Sequence, residues 1–177
     1  MFRARNGACI GATALCASLL GASVAEAAPL TYKPNRVGDP APNGCSRAHC
    51  TLREAVIAAN EHPGEDRIVL RPGRVYGLGI AGEDEDDSLT GDLDVTGPLA
   101  IQARRARRGR RARPATIDGG DVDRVLDQFE GAGRLTLRRL VIRNGKVTGG
   151  SFDGGGLISR APLRAVRVSR CRMSNPS

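Results

Sequence analysis

The sequence predicts an all-β fold of stacked repeats, a β-solenoid carrying one helix, and three observations lead there. Apolar residues alternate with a period of two in very short pieces, each bounded by Gly, Pro or Asp: Ile68 and Leu70, Leu93 and Val95, Leu99 and Ile101. A pattern recurs near the C-terminus, where Leu135-x-Leu137-x-x-Leu140-x-Ile142-x-Asn144 matches Val166-x-Val168-x-x-Cys171-x-Met173-x-Asn175 position for position. The composition agrees: 23 Gly, 10 Pro, no Trp and 3% aromatic residues suit frequent turns and a core of Val, Leu, Ile and Ala.

In chain order, residues 1–27 read as a secretory signal peptide. Arg3 and Arg5 give the positive start, Cys9 to Val24 is an uncharged small and apolar run, and Ala25-Glu26-Ala27 offers the small-x-small pattern for cleavage after Ala27. The run is short for a membrane span of about 20 apolar residues, so no transmembrane segment is expected after cleavage. Residues 28–50 form a Pro-, Asn- and Gly-rich extended leader. Cleavage removes Cys9 and Cys16. Cys45 and Cys50 are then expected to close a small disulfide loop in an oxidising compartment. A zinc site using His49 and His62 is the weaker alternative.

Residues 51–177 form the predicted domain. Thr51-Leu52-Arg53-Glu54 fits a capping box, and Leu52, Ala55, Val56 and Ala59 share one face at helical spacing. Asn60 and Pro63-Gly64 end this helix. The repeat then implies coils that bury their apolar side only by stacking on one another. Asn144 and Asn175 suit left-handed corners. In this register Cys171 takes the place of Leu140 and points inward as a small hydrophobe. Gly149-Gly150 and Gly154-Gly155-Gly156 make the loop between the two units.

At this point the residues resemble a known family. Cys50-Thr51-Leu52-Arg53-Glu54-Ala55-Val56, with Ala59-Asn60 behind it, is similar to the CSLREA-type motif that opens many secreted bacterial right-handed parallel β-helix proteins. The likeness continues in order through Gly91–Val95, Thr116–Gly120, Asp123–Val125, Leu135–Gly145 and Gly154–Leu157, covering roughly Thr31 to Asn175. The resemblance implies the right hand of the solenoid, a helix capping one open end, export or surface attachment, and no assigned reaction for most members. Family members continue through more coils, and the tight turn after Leu99–Ile101 is replaced here by Arg104 to Arg113. An incomplete solenoid is therefore expected, with an open β edge that invites self-association.

Charge supplies the candidate sites. Arg104, Arg105, Arg107, Arg108, Arg110, Arg111 and Arg113 place seven arginines in ten residues, part of a formal net charge of +8. Such density attracts polyanions. With no aromatic residue interleaved for base stacking and a signal for export, anionic glycans or an envelope surface are expected as partners, and nucleic acid is not. Asp84, Asp86, Asp87, Asp92 and Asp94 are weak calcium candidates, since calcium takes several carboxylate oxygens on an adaptable loop. Asp92 and Asp94 lie two apart, opposite inward Leu93 and Val95, and are expected to face solvent in a structural turn. Asp118, Asp121 and Asp123 read first as a turn between coils. No Gly-x-Ser-x-Gly elbow, His-Glu-x-x-His or phosphate-cradling loop occurs, and no catalytic residue is assigned. The expectation is a non-catalytic, secreted or cell-envelope β-helix protein with a structural, adhesive or glycan-contacting role and no cofactor. The alternatives are a pectate-lyase-like polysaccharide enzyme and a polyanion-binding module working through Arg104–Arg113.

Overall fold

A computed structural model describes residues 27–82, 85–105, 113–148, 155–164 and 172–174. The signal-peptide reading over residues 1–26 and the positions of Cys171 and Asn175 lie outside these residues.

The leader supplies a first short strand, β1 (Thr31–Tyr32), and the helix α1 (Leu52–Glu61) follows. Both arms of the expected capping box form: the Glu54 amide donates to Thr51 Oγ1 at 3.1 Å, and the Thr51 amide donates to Glu54 Oε2 at 2.7 Å. Leu52, Ala55, Val56 and Ala59 are buried along one face. Then come β2 (Asp66–Leu70), β3 (Val75–Gly77), β4 (Leu93–Val95), β5 (Leu99–Ala103), β6 (Ala115–Asp118), β7 (Leu126–Gln128), β8 (Leu135–Arg138), β9 (Leu140–Arg143), β10 (Lys146–Thr148), β11 (Leu157–Ser159), β12 (Leu163–Arg164) and β13 (Arg172–Ser174).

Among the described residues every strand pairing is parallel. One sheet runs β1-β2-β5-β8-β12, a second β3-β6-β9, a third β4-β7-β11, and β10 pairs with β13. The chain visits the first three sheets in the same order on successive passes. Short strands and tight corners produce this order, because each piece carries only two or three inward side chains before a Gly, Pro or Arg corner turns it. The inward residues form columns across the passes: Ile68, Ile101 and Leu137; Tyr76, Ile117 and Ile142; Leu93, Leu126 and Leu157. All join one continuous core with Leu52, Ala55 and Val56 of α1, Leu157 packing against it half-buried. Burial of each such side chain contributes about 1.5–3 kcal/mol.

The leader and α1 cover the outer edges of the first pass strand by strand. β1 pairs with β2. The Gly77 amide on β3 donates to the Val37 carbonyl at 2.9 Å. On β4, the Asp94 carbonyl accepts Asn60 Nδ2 at 2.7 Å, the Asp94 amide donates to Ser88 Oγ at 2.7 Å, and the Thr96 amide donates to Asn60 Oδ1 at 3.1 Å. Unpaired strand edges invite association with other chains; here side chains and leader backbone occupy them.

Two expectations are corrected. The C-terminal repeat does not set the register: Leu163, not Val166, lies opposite Leu135, and Met173 lies opposite Val147 rather than Ile142. A sequence repeat identifies similar units, but corner lengths differ from pass to pass and decide which residues pair. Asn144 does take a left-handed conformation, with φ 52°. The second correction is that Asp92 and Asp94 are buried, at 6% and 1% exposure. Ser88 and its loop fold over β4, so the face opposite Leu93 and Val95 is covered by the protein itself.

Candidate functional site

Three groups of polar side chains are concentrated enough to carry chemistry. The first joins α1 to the loop over β4. Arg53, with 0% exposure, leaves the helix and meets Asp39 of the leader through Nε and Nη2, both at 2.9 Å. Its Nη1 donates to the carbonyls of Ser88, Thr90 and Asp92 at 2.8–3.0 Å, and Nη2 to that of Gly91 at 2.8 Å. Asp39 Oδ2 also accepts the Gly79 amide at 3.0 Å. A planar guanidinium with five donors suits this fork. All of its hydrogen-bonding capacity is used inside the fold, so the group is a clamp. Beside it, burial alone would raise the Glu54 carboxyl; the amides of Thr51 and Asn43, with His49 nearby, outweigh burial and hold it lowered.

The second group is a chain of charges on β4, β7 and β11. Arg124 Nε lies 3.1 Å from Asp92 Oδ2, and Arg124 Nη1 lies 3.4 Å from Asp127 Oδ2. Arg160 pairs with Asp127 Oδ1 and lies 5.8 Å from the Phe129 ring centre. The Asp92–Arg124 contact is close but misaligned: it is an ion pair, while both atoms lack a hydrogen-bond partner of good geometry. Asp94 and Asp127 are neighbours across the β4–β7 pair, and Asp94 Oδ2 accepts the Ser88 amide at 2.9 Å. Burial, opposed by Arg124, raises Asp92 to about 6. Burial and the neighbouring Asp92 raise Asp94 to about 7. Two carboxyls of raised pKa close to a third carboxyl are the raw material of acid–base catalysis. Here they are closed in. The surface has one hollow of about 430 Å³ lined in part by Lys33, Arg47 and Arg71, and another of about 470 Å³ lined in part by Asn60, Asp86 and Asp87. Neither is lined by Asp92, Asp94 or Asp127.

The third group is basic. Arg104, Arg105 and Arg113 are exposed at the corner between β5 and β6; Arg107, Arg108, Arg110 and Arg111 lie outside the described residues. The corner after β8 holds Arg139, whose Nε donates to the Ala103 carbonyl at 2.8 Å and whose Nη2 donates to Gln102 Oε1 at 3.2 Å.

The calcium candidates are not brought together. Asp84 lies outside the described residues, Asp86 and Asp87 are exposed, and Asp92 and Asp94 are engaged as above. Among the described residues no group of three or more His, Cys, Asp or Glu is arranged to hold a metal ion. His49 Nδ1 lies 3.3 Å from Glu54, and His62 Nδ1 lies 3.1 Å from Asp66. Cys45 and Cys50 are joined as a disulfide with an S–S distance of 2.03 Å. Asp118 accepts Arg143 Nε at 2.9 Å and Asn144 Nδ2 at 2.8 Å across the β6–β9 pair, and it ends a strand before the 119–122 turn. Among the described residues no helix is long and apolar enough to cross a membrane.

No family model, curated protein or solved structure matches the chain.

Sequence reasoning missed Asp39, Arg53, Asn60 and Ser88 as cap residues. Arg53 stands inside the motif on which the resemblance rests. Nothing in a polar Gly38-Asp39-Pro40 leader marks Asp39 as the partner of a residue 14 positions away.

Proposed function

We propose that this chain is a non-catalytic protein of the cell exterior, a right-handed parallel β-helix of the CSLREA-motif kind, with a structural, adhesive or glycan-contacting role. The observation that carries the reading is the repeated visiting of three parallel sheets around one core, with the first pass closed by the leader and α1. A right-handed wind is the strongly preferred one for parallel strands joined by crossovers. The commitment of Arg53, Asp92, Asp94 and Asp127 to bonds within the fold supports a scaffold over an enzyme. Export rests on the basic start, apolar run and Ala25-Glu26-Ala27 of the sequence.

The test is to incubate the purified chain beginning at Ala28 with polygalacturonate and other anionic polysaccharides, with and without calcium. No unsaturated or reducing ends above background are expected. Turnover that rises with protein concentration and falls on Asp94→Asn would overturn the non-catalytic reading in favour of a polysaccharide-active enzyme.

A further inference from the structure

The parallel register brings the arginines of separate sequence segments to a single edge of the molecule. Every pass leaves the first sheet and enters the second at the same corner. In the first pass this corner is Arg71-Pro72-Gly73-Arg74. In the second it begins at Arg104-Arg105 and ends at Arg113, and in the third it is Arg138-Arg139. Backbone hydrogen bonds tie these corners into a stack: the Arg104 amide donates to the Leu70 carbonyl at 2.9 Å, the Gly73 amide to that of Pro114 at 2.9 Å, and the Ala115 amide to that of Arg139 at 3.1 Å. Arg113 Cδ lies 3.4 Å from where a Cβ on Gly73 would stand. At the capped end, Lys33 and Arg47 join Arg71 around the hollow of about 430 Å³.

Four strand levels, from β1 to β8, are thus marked by cations at about 4.8 Å per level, a row of roughly 14 Å. Among the described residues these corners contain no Asp or Glu, and no ion pair with another described residue forms at Lys33, Arg47, Arg71, Arg74, Arg104 or Arg138. Among the described residues Arg53, Arg124, Arg143 and Arg160 meet carboxylates, whereas Arg36, Arg67, Arg134 and Arg164 also lack an ion pair but lie outside these corners. Like charges stacked on adjacent strands repel, and burial together with Arg105 and Arg138 lowers the pKa of Arg139. An uncompensated row of this kind is a preformed electrostatic site for a polymer of regularly spaced anions.

We propose that this arginine edge binds a linear acidic polysaccharide, its carboxylate or sulfate groups following the stack from the Lys33–Arg47–Arg71 hollow to Arg138. Guanidinium groups bind planar or tetrahedral oxyanions through paired donors. The ligand is a glycan rather than a single-stranded nucleic acid because base stacking needs exposed aromatic rings. Among the described residues no aromatic side chain stands in the arginine corners, and Tyr32, which lines the hollow, is half-buried with its hydroxyl donating to the Ala58 carbonyl. A narrow row also suits a linear polymer better than a flat lipid surface. This proposal rests on the exterior, non-catalytic reading above.

The test compares two charge-matched double variants of the mature chain. Arg71→Gln with Arg138→Gln removes two charges from the edge. Arg67→Gln with Arg134→Gln removes two charges four residues earlier on the same strands, about 13 Å across the sheet. Heparin and polygalacturonate are the probes, with an oligothymidylate and phosphatidylglycerol vesicles as competing classes. The edge variant should lose on the order of tenfold in heparin affinity with a shallower dependence on salt, while the control stays within about twofold of the parent. Arg74→Gln with Arg104→Gln is a second edge pair that should behave alike, and unchanged thermal unfolding shows that each variant is folded. Equal loss in both variants, no loss in either edge pair, or tighter binding to the oligonucleotide or the vesicles would overturn the proposal. Polysaccharide cleavage by the parent chain would instead overturn the non-catalytic reading and leave the binding comparison intact.

Discussion

Arg53 is the residue on which the cap depends. Its guanidinium faces Asp39, whose side chain is 3% exposed, and the backbone carbonyls of the 88–92 loop. Removing the charge from such a pair leaves the other buried without a partner, which typically costs about 3–5 kcal/mol. Arg53→Met should therefore lower the free energy of urea unfolding by that amount, and adding Asp39→Asn should recover part of it. A loss below about 1 kcal/mol would show that the contacts are incidental. Asp94 gives a pH signature. Its carboxyl is raised to about 7, first by burial and then by Asp92, with Glu85 and Asp127 adding to the effect and the Ser88 amide opposing it; Asp92 is raised to about 6. A carboxyl with a raised folded-state pKa holds its proton more tightly folded than unfolded. The stability it contributes is present below its unfolded pKa near 4 and is lost as pH rises toward 7. Between pH 5 and pH 8 the parent should lose stability that Asp94→Asn keeps, about 2–3 kcal/mol, since two units separate pH 5 from the raised pKa of about 7 and each is worth about 1.4 kcal/mol. Parallel pH–stability curves would refute this.

Among the elements, strands and corners divide the work between side chains and bare backbone. At the corner leaving the second sheet, a Cβ on Gly119 would stand 2.7 Å from the Asn144 carbonyl oxygen and 2.8 Å from Val125 Cγ2. One on Gly145 would run into the Gly155 carbonyl. Successive passes meet there through backbone carbonyls and the Val125 side chain, with no room for a Cβ, which is why Gly119 and Gly145 are needed. Gly97, by contrast, has nothing within 4 Å. Gly145→Ala should destabilise the fold by about 1–3 kcal/mol, as overpacking does, whereas Gly97→Ala should stay within about 0.5 kcal/mol; differential scanning calorimetry of the two distinguishes them. The helix was fully legible at this scale, because a capping box and a 3.6-residue apolar face are local signals, and Thr51 through Ala59 behave as they require. The strand pieces at Ile68, Leu93 and Leu99 were legible for the same reason. β1 was not: a two-residue strand in a Pro-rich leader has no period to read, and it exists because β2 offers an unpaired edge.

At the scale of the whole molecule, the formal charge of +8 is unevenly arranged. Among the described residues, acidic side chains are paired in the cap and along the third sheet, and arginines without an ion pair are stacked at the corner between the first two sheets, with Arg36, Arg67, Arg134 and Arg164 unpaired elsewhere. Salt shortens the reach of exposed charges to roughly 8–10 Å near physiological ionic strength and further above it. The thermal midpoint should therefore rise between low and high sodium chloride, and Arg71→Gln with Arg138→Gln should raise the midpoint at low salt and reduce the increment. An increment unchanged by those substitutions would mean that the repulsion resides elsewhere.

The sequence by itself determined the main classes of element: one capped helix at Thr51–Ala59, short strand pieces at Ile68, Leu93, Leu99 and Leu135, Gly, Pro and Arg at the corners, and a small disulfide loop from Cys45 to Cys50. It also exposed the arginine density of residues 104–113. These properties depend on neighbours a few residues away, and local chemistry suffices for them. Only the tertiary structure decided the register, which moved Leu163 rather than Val166 beside Leu135. It decided that Asp92 and Asp94 are covered, and that Arg53 reaches both Asp39 and the loop over β4. It also brought Arg71, Arg104 and Arg138 to one edge, with Arg138 opposite Gln102 two residues before Arg104. Those three arginines lie more than 30 positions apart in the sequence, and their relation is fixed by corner lengths and interstrand hydrogen bonds, which no local pattern encodes.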